Sequence, residues 1–440
     1  MTIGGGTFTV HNKVLPGAYI NVVSARAGAT MGTRGVASLP LALSWGEENK
    51  IIRVEAADFA KNSLKLFGYD AAAPEMLSIR EVFKHAKTML VYRYNTGTKA
   101  TKAFGALTAT AKYNGKCGNN IRVAVLASGT ETKFDVVTYY NGVEVDKQTA
   151  LGTVQEVKAN DFVTFSGTGP LTAQAAANLA SGTDTLPELN QAITKYLTAL
   201  ELEEFNAVGI MTGNKALTDL FVAFTKRMRE DEGKKIVCVL PGVQADYEGV
   251  VSVKNGVLLE DGTVLNNINV VAWVVGAMAG AESNESLTNV VYEGAVDVDV
   301  RMTKTQYEEM IKGGYFVFYY DGEKARVLSD INSLTTFANK SADMSSNRVV
   351  RVLDSWANDI ARIFSQTYIG AITNDDTGRQ LFRADLVGLA LQYQSIGAIS
   401  NFTSEDIEVL QGTGKRDVVV NCALQPNDSM EKLYMTVNVS

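Results

Sequence analysis

The chain has 440 residues, 46% hydrophobic and 20% charged, enough apolar material for roughly two to four packed domains without disulfide or metal staples. Its net charge of −7 excludes a general binder of nucleic acid or of anionic membranes, because neutralising phosphate requires an excess of Lys and Arg. Three well-separated cysteines (Cys117, Cys238, Cys422) and two histidines (His11, His85) give no metal-ligand spacing, so no cofactor or metal is expected; the odd thiol count fits a reducing compartment.

The chain opens on Gly4, Gly5 and Gly6 followed by alternating Thr7, Phe8, Thr9 and Val10. Strict alternation marks a half-buried strand. A strand at a terminus needs a partner, either within its own chain or in a neighbouring sheet. No charged leader precedes it, so no secretory signal is expected and the protein should be soluble and made in a cytoplasm. Residues 18–23 and 35–46 read as strands. Asp58 is placed as the cap of a helix through Phe59, Leu64 and Leu66 that Gly68 ends. Residues 79–86 form a short helix, with His85 solvated between Lys84 and Lys87, and residues 88–94 a buried strand.

From Asn95 to about Asp184 the chain is rich in Thr, Gly, Val and Ala, with strands over 122–126 and 134–140. Asn141-Gly142 between two alternating runs is a strong hairpin signal. This stretch reads as an inserted β-rich domain. Helix and strand then alternate: helix 186–200, strand 205–211, helix 215–232, strand 236–240. Residues 270–281 are too short an apolar run to cross a membrane and read as a buried strand (267–275) entering a helix. Such βαβ alternation predicts an α/β sheet with helices against it. Residues 294–300 and 315–320 are further strands, the second turning at Asp321-Gly322. A long helix follows over 347–369, a loop over 374–378 and a second helix over 381–394. Residues 405–410 form a short segment. Residues 417–424, with Val418, Val419 and Val420, form a strand, and a closing strand over 432–439 carries Leu433, Met435, Val437 and Val439.

A search for chemistry finds no anchor for an enzyme. Gly412-Thr413-Gly414-Lys415-Arg416 lacks the full phosphate-loop spacing and precedes a strand, so it reads as a loop. The carboxylates of residues 374–378 lack the distal glutamate of a calcium loop. Asp297 and Asp299 fall at strand period on one polar face. No GxSxG elbow occurs, neither histidine accompanies a nucleophile pattern, and residues 209–214 lack GxGxxG.

Several segments carry a resemblance: Leu15-Pro16-Gly17-Ala18-Tyr19-Ile20 behind a short arm, Arg34-Gly35-Val36-Ala37 leading to Leu41 and Trp45-Gly46, and the run from Ala111 through Tyr113, Gly115, Gly118 and Asn119 to Ile121. With the helix around Trp356 and the terminal strand, their order resembles contractile-tail sheath proteins of phages and phage-derived particles of Gram-positive bacteria, over essentially the whole chain. The resemblance implies a multidomain α/β (mixed α+β) fold: an arm and linker (1–20), a core domain in two parts (21–95 and 185–330), the inserted outer domain (96–184), an inner C-terminal domain (331–430) and an arm strand (431–440). It implies a structural subunit that forms six-membered rings stacked around an inner tail tube, with baseplate and tail terminator proteins as partners, no nucleic acid and no membrane insertion. Thr7–Val10, Val418–Val420 and the closing strand would be strands shared between neighbours, and Gly4–Gly6 a hinge. A tube contact would fall near Arg379, Arg383 and Asp385, charges that also fit a solvated helix face. An α/β enzyme with an unrecognised site is the competing class, and a surface-layer subunit a third, against which the missing signal peptide counts.

Overall fold

A computed structural model describes residues 29–129 and 132–438, together with the backbone of Gly4–Gly6 and Gly17–Tyr19. The expected arm strand Thr7, Phe8, Thr9 and Val10 therefore lies outside the described residues, as do residues 20–23 and Val439. The chain divides into two compact units: residues 1–31 with 359–425, and residues 32–358 with 426–440. Helices and strands are mixed throughout, as the α/β reading expects.

The larger unit is built on a seven-stranded sheet. Its strands are Val36–Leu41 (β1), Ile51–Glu55 (β2), Thr88–Arg93 (β3), Ala207–Gly209 (β4), Val237–Pro241 (β5), Val250–Val253 (β6) and Tyr315–Phe316 (β7). Their order across the sheet is β7-β6-β5-β4-β1-β3-β2, with every pairing parallel except β2 against β3. Parallel strands are covered on both faces, and the side-chain period of two assigns each residue to a layer. Met89 and Val91 join the core beneath Ala56–Phe67 (α1), Leu77–Phe83 (α2) and Val271–Gly280 (α5). Leu90 and Tyr92 join the opposite core, under Leu189–Leu200 (α3) and Lys215–Glu230 (α4).

Three sequence expectations are corrected here. Residues 271–280 are helix rather than strand, with every side chain from Val271 to Ala279 buried. An apolar run of this kind carries no period by which helix and strand can be told apart. Gly276 and Gly280 explain why it seats as a helix: a Cβ there would lie 2.3 Å from the Val82 carbonyl and 2.2 Å from that of His85, so α2 approaches by backbone. His85 is not solvated. Its ring stands edge-on to Trp273 at 4.7 Å, its Nε2 is buried without a hydrogen-bond partner, and burial lowers its pKa. Asp58 is not the cap of α1; the helix starts at Ala56 after Glu55, and Asp58 sits in its first turn, where its charge suits the helix dipole.

The resemblance motifs have physical causes in this unit. Arg34 is buried and donates from Nε and Nη2 to the carbonyls of Ala281 and Met278, both at 2.9 Å, closing the C-terminal end of α5. Trp45 packs edge-on to Tyr113 at 5.2 Å and stacks with Phe162. Gly115 has φ +123°, and a Cβ there would meet the Ser44 carbonyl oxygen at 2.0 Å. Asn119 exchanges hydrogen bonds with both backbone groups of Gly182. The run from Ala111 to Ile121 is thus the seam joining residues 95–184 to the rest of the unit. Those residues form a four-stranded and a three-stranded sheet around a shared core that includes Trp45. The Asn141-Gly142 hairpin forms as expected, with positive φ at both residues.

Asn347–Ile363 (α6) carries a buried polar face. Its Asp354 accepts two hydrogen bonds from Arg229 at 2.5 and 2.8 Å, and its Arg351 pairs with Asp330 at 3.3 Å. These four side chains are almost wholly shielded from solvent.

Candidate assembly interface

In the smaller unit the chain leaves α6 through a single π-helical turn, Phe364–Tyr368, and enters Asp376–Ser395 (α7), whose N-cap Asp375 accepts from Gly378 N–H at 2.8 Å. A hairpin of Ile407–Gln411 (β8) and Val418–Cys422 (β9) follows, in antiparallel register with Val409 opposite Val420. Ile407 and Val409 are buried, while Leu410 and Val419, paired on the other face, are exposed. Val418 and Val420 are only half-buried although they share the inner face with Val409. The sheet has two strands, and among the described residues no strand pairs with either outer edge. A two-stranded ribbon is marginal by itself, and its open edge is a template for a further strand.

Residues 412–416 are the loop of this hairpin. Gly414 N–H donates to Asp417 Oδ2 at 2.9 Å, and Asn374 Nδ2 donates to the carbonyls of Lys415 and Asp417. A cavity of about 400 Å³ opens beside Val418, walled by Phe364, Tyr368, Ile369, Ile372 and Phe382. Phe382 packs against Tyr368 at 4.6 Å and Phe364 at 5.3 Å, so the apolar wall is held by aromatic contacts. Ile369 and Ile372 are exposed at its lip.

Arg379, Arg383 and Asp385 all lie on α7 and are engaged within this unit. Arg379 donates to Asn374 Oδ1 at 3.0 Å and pairs with Asp376. Arg383 donates to the Ile407 carbonyl at 2.8 Å and also to that of Ser404, bracing β8. Asp385 accepts from the Tyr368 hydroxyl at 2.5 Å. Cys422, at the end of β9, has an exposed thiol. Gly4, Gly5 and Gly6 form a short strand parallel to Gly17–Tyr19.

The final segment belongs to the larger unit. Glu431 accepts from Thr288 Oγ1 at 2.6 Å and Ser329 Oγ at 3.2 Å, and Ser429 meets Ser286. Beyond this anchor, residues 432–438 are exposed and, among the described residues, carry no strand pairing, so the expected closing strand is not formed over them. Leu433, Met435 and Val437 are 85%, 74% and 70% exposed. The apolar alternation was legible in sequence; the Glu431 anchor and the cavity were not, because each joins residues far apart in the chain. Only the spacing of Phe364 and Tyr368, one helical turn apart, hinted at an apolar wall.

Among the described residues no helix is long and apolar enough to cross a membrane, and no group of three or more His, Cys, Asp or Glu is placed to hold a metal ion.

Comparison with known proteins matches four family models along the chain. They are the phage tail sheath protein β-sandwich domain (residues 95–184), the phage tail sheath protein central domain (189–333), the phage tail sheath C-terminal domain (339–440) and the tail sheath protein Gp18 domain III N-terminal region (34–93). Phage-like element PBSX protein XkdK of Bacillus subtilis is 36% identical over 471 aligned residues, with both chains covered in full. The crystal structure of a sheath tail protein from Desulfitobacterium hafniense is 44% identical, with a TM-score of 0.85, 95% of this chain covered and 99% of that one. The helical sheath of the anti-feeding prophage in its contracted state shares the fold, with a TM-score of 0.59 at 12% identity, 97% of this chain covered and 99% of that one.

Proposed function

Because the chain belongs to the phage tail sheath protein family, we propose that it is the repeating subunit of a contractile sheath, polymerising as stacked hexameric rings around an inner tail tube. The observation that carries this reading is the exposed, unpaired run after Glu431 in a chain whose small hairpin sheet also has unpaired edges. Strand addition draws affinity from main-chain hydrogen bonds and specificity from alternate side chains. A subunit that offers a strand and receives one makes a heterologous contact, which propagates into rings or helices. The anti-feeding prophage sheath, with the same fold, is such a helical assembly.

In this reading Val418, Val419 and Val420 receive a neighbour's strand, and Thr7–Val10 and Leu433–Val439 supply strands to other copies. Gly4, Gly5 and Gly6 give the front arm the conformational freedom to stay attached while subunits rotate. Contraction is a passage between two discrete packings of the same subunits and needs no bound nucleotide. It drives the tube through a target envelope. The tube contact lies on α7 around Arg379, Arg383 and Asp385, and the baseplate and tail terminator bound the two ends. The particle is assembled in the cytoplasm of the bacterial host.

Negative-stain electron microscopy of the purified chain tests the reading. Hollow tubes with sixfold end views are expected. Deleting residues 1–12 or 432–440 should abolish them while leaving a folded monomer by circular dichroism. Small uniform particles from the full chain, or normal tubes from either truncation, would overturn it.

A further inference from the structure

We propose that Glu431 couples the terminal arm to the root of α6 through Thr288 and Asp330, so that loading or freeing the arm is felt in a helix for which Thr288 and Asp330 are the intermediaries. The coupling is a property of the single chain; its use in contraction rests on the sheath reading.

The route of the chain sets the problem. The β8–β9 hairpin belongs to the smaller unit, but residues 426–440 belong to the larger one. The arm is therefore rooted on the larger unit, and Glu431 holds it there. Glu431 Oε1 accepts from Thr288 Oγ1 at 2.6 Å, and Oε2 accepts from Ser329 Oγ at 3.2 Å. Hydroxyls from two separate segments thus take both carboxylate oxygens.

Thr288 carries the interaction inward. A hydroxyl can donate and accept at once, and this one donates to Glu431 while accepting from the Asp330 N–H at 2.8 Å. Asp330 is buried with its remaining polar atoms engaged as well. Its carbonyl accepts from Asn347 N–H at 2.9 Å, and its Oδ1 from Asn347 Nδ2 at 2.9 Å. Its Oδ2 accepts from Leu287 N–H at 3.0 Å and from Arg351 at 3.3 Å. Asn347 and Arg351 lie in the first turns of α6. Arg351 also donates to the Glu285 carbonyl at 2.6 Å, so residues 285–288 are gripped by Glu431 at one end and by Arg351 at the other.

Hydrogen bonds in such a chain polarise one another, and a buried group with every partner fixed does not lose one without disturbing the rest. Drawing the arm off Thr288 therefore loosens Asp330 and, through it, the start of α6. That helix runs to Ile363, and from Asp359 onward its residues belong to the smaller unit. A disturbance at its first turn reaches an element that both units share. A neighbouring copy that takes hold of the arm thereby gains a handle on α6.

The test reads hydrogen exchange by mass spectrometry on the full chain, below the concentration at which it assembles. Glu431→Ala should speed exchange about fivefold in the peptide spanning residues 346–354, with β5 and the 407–422 hairpin keeping their original rates. Thr288→Val should do the same, and the double variant should add nothing, because members of one chain of bonds are not additive. Thr288→Ser, which keeps the hydroxyl, should restore the original rate. Faster exchange confined to residues 285–288 and 426–431 would make Glu431 a simple tether and overturn the coupling. Additive effects in the double variant would overturn it too, as would faster exchange throughout, β5 included, which marks a general loss of stability. Electron microscopy of the unmodified chain separates the two readings: absence of tubes would remove the sheath reading while the exchange result still decides the coupling.

Discussion

Arg34 shows how one side chain can hold an element end. Its guanidinium satisfies two carbonyls at the close of α5, a helix buried on all sides where water cannot substitute. Arg34→Met keeps the apolar stem and strands those acceptors, and should cost about 2–4 kcal/mol by urea denaturation. The Arg229–Asp354 pair behaves similarly. Asp354→Ala leaves a buried guanidinium uncompensated and should cost about 3–5 kcal/mol, whereas replacing both partners by apolar residues should cost far less. His85 has the opposite character. Its pKa is lowered by burial, so the unfolded chain binds the proton more readily, and stability present above pH 6.5 is lost as pH falls below it. His85→Phe keeps the edge-on contact with Trp273, removes an unpartnered buried nitrogen and should flatten the melting-temperature difference between pH 7.5 and pH 5.5. A gain of about 1 kcal/mol at neutral pH is expected beside it. An unchanged pH dependence in that variant would mean other groups set the acid limit.

Elements were legible in the sequence where local rules act alone. The Asn141-Gly142 hairpin follows from two residues that accept positive φ, and α1 ends at Gly68, which takes the left-handed conformation. The parallel sheet was readable from helix and strand alternation around residues 205–240. Residues 271–280 were misread because an all-apolar run has no phase; the glycines that decide it, Gly276 and Gly280, act only through α2, nearly two hundred residues earlier. Gly276→Val should therefore push α2 off α5 and lower the melting temperature sharply, by about 10 °C or more, or prevent folding. Lys84 and Lys87 misdirected the reading of His85, since charged neighbours in sequence need not share a face. The interface was half legible. The alternation of residues 433–437 was visible, but a strand that finds its partner in another copy leaves no trace of that partner in its own sequence.

On the scale of the whole molecule, the chain places its recognition in backbone edges and apolar faces. Its net charge of −7 is modest for 440 residues, and the hairpin sheet presents valines and leucines rather than charge at Val418, Val419 and Leu410. Tubes, once formed, should persist when sodium chloride rises from 0.1 M to 1 M, a change that shortens the screening length from about 10 Å to about 3 Å. Turbidity and electron microscopy across that range would check this, and dissolution in salt would point to ionic contacts instead. The hairpin tip at Asn141 and Gly142 has a different use. Both residues are exposed, and nothing lies within 4 Å of where a Gly142 side chain would begin. Neither belongs to the elements proposed to join copies together. A short epitope spliced between them would leave those elements untouched and be repeated once per subunit, turning an assembled sheath into a dense antigen-display scaffold whose spacing is set by the lattice rather than by the graft.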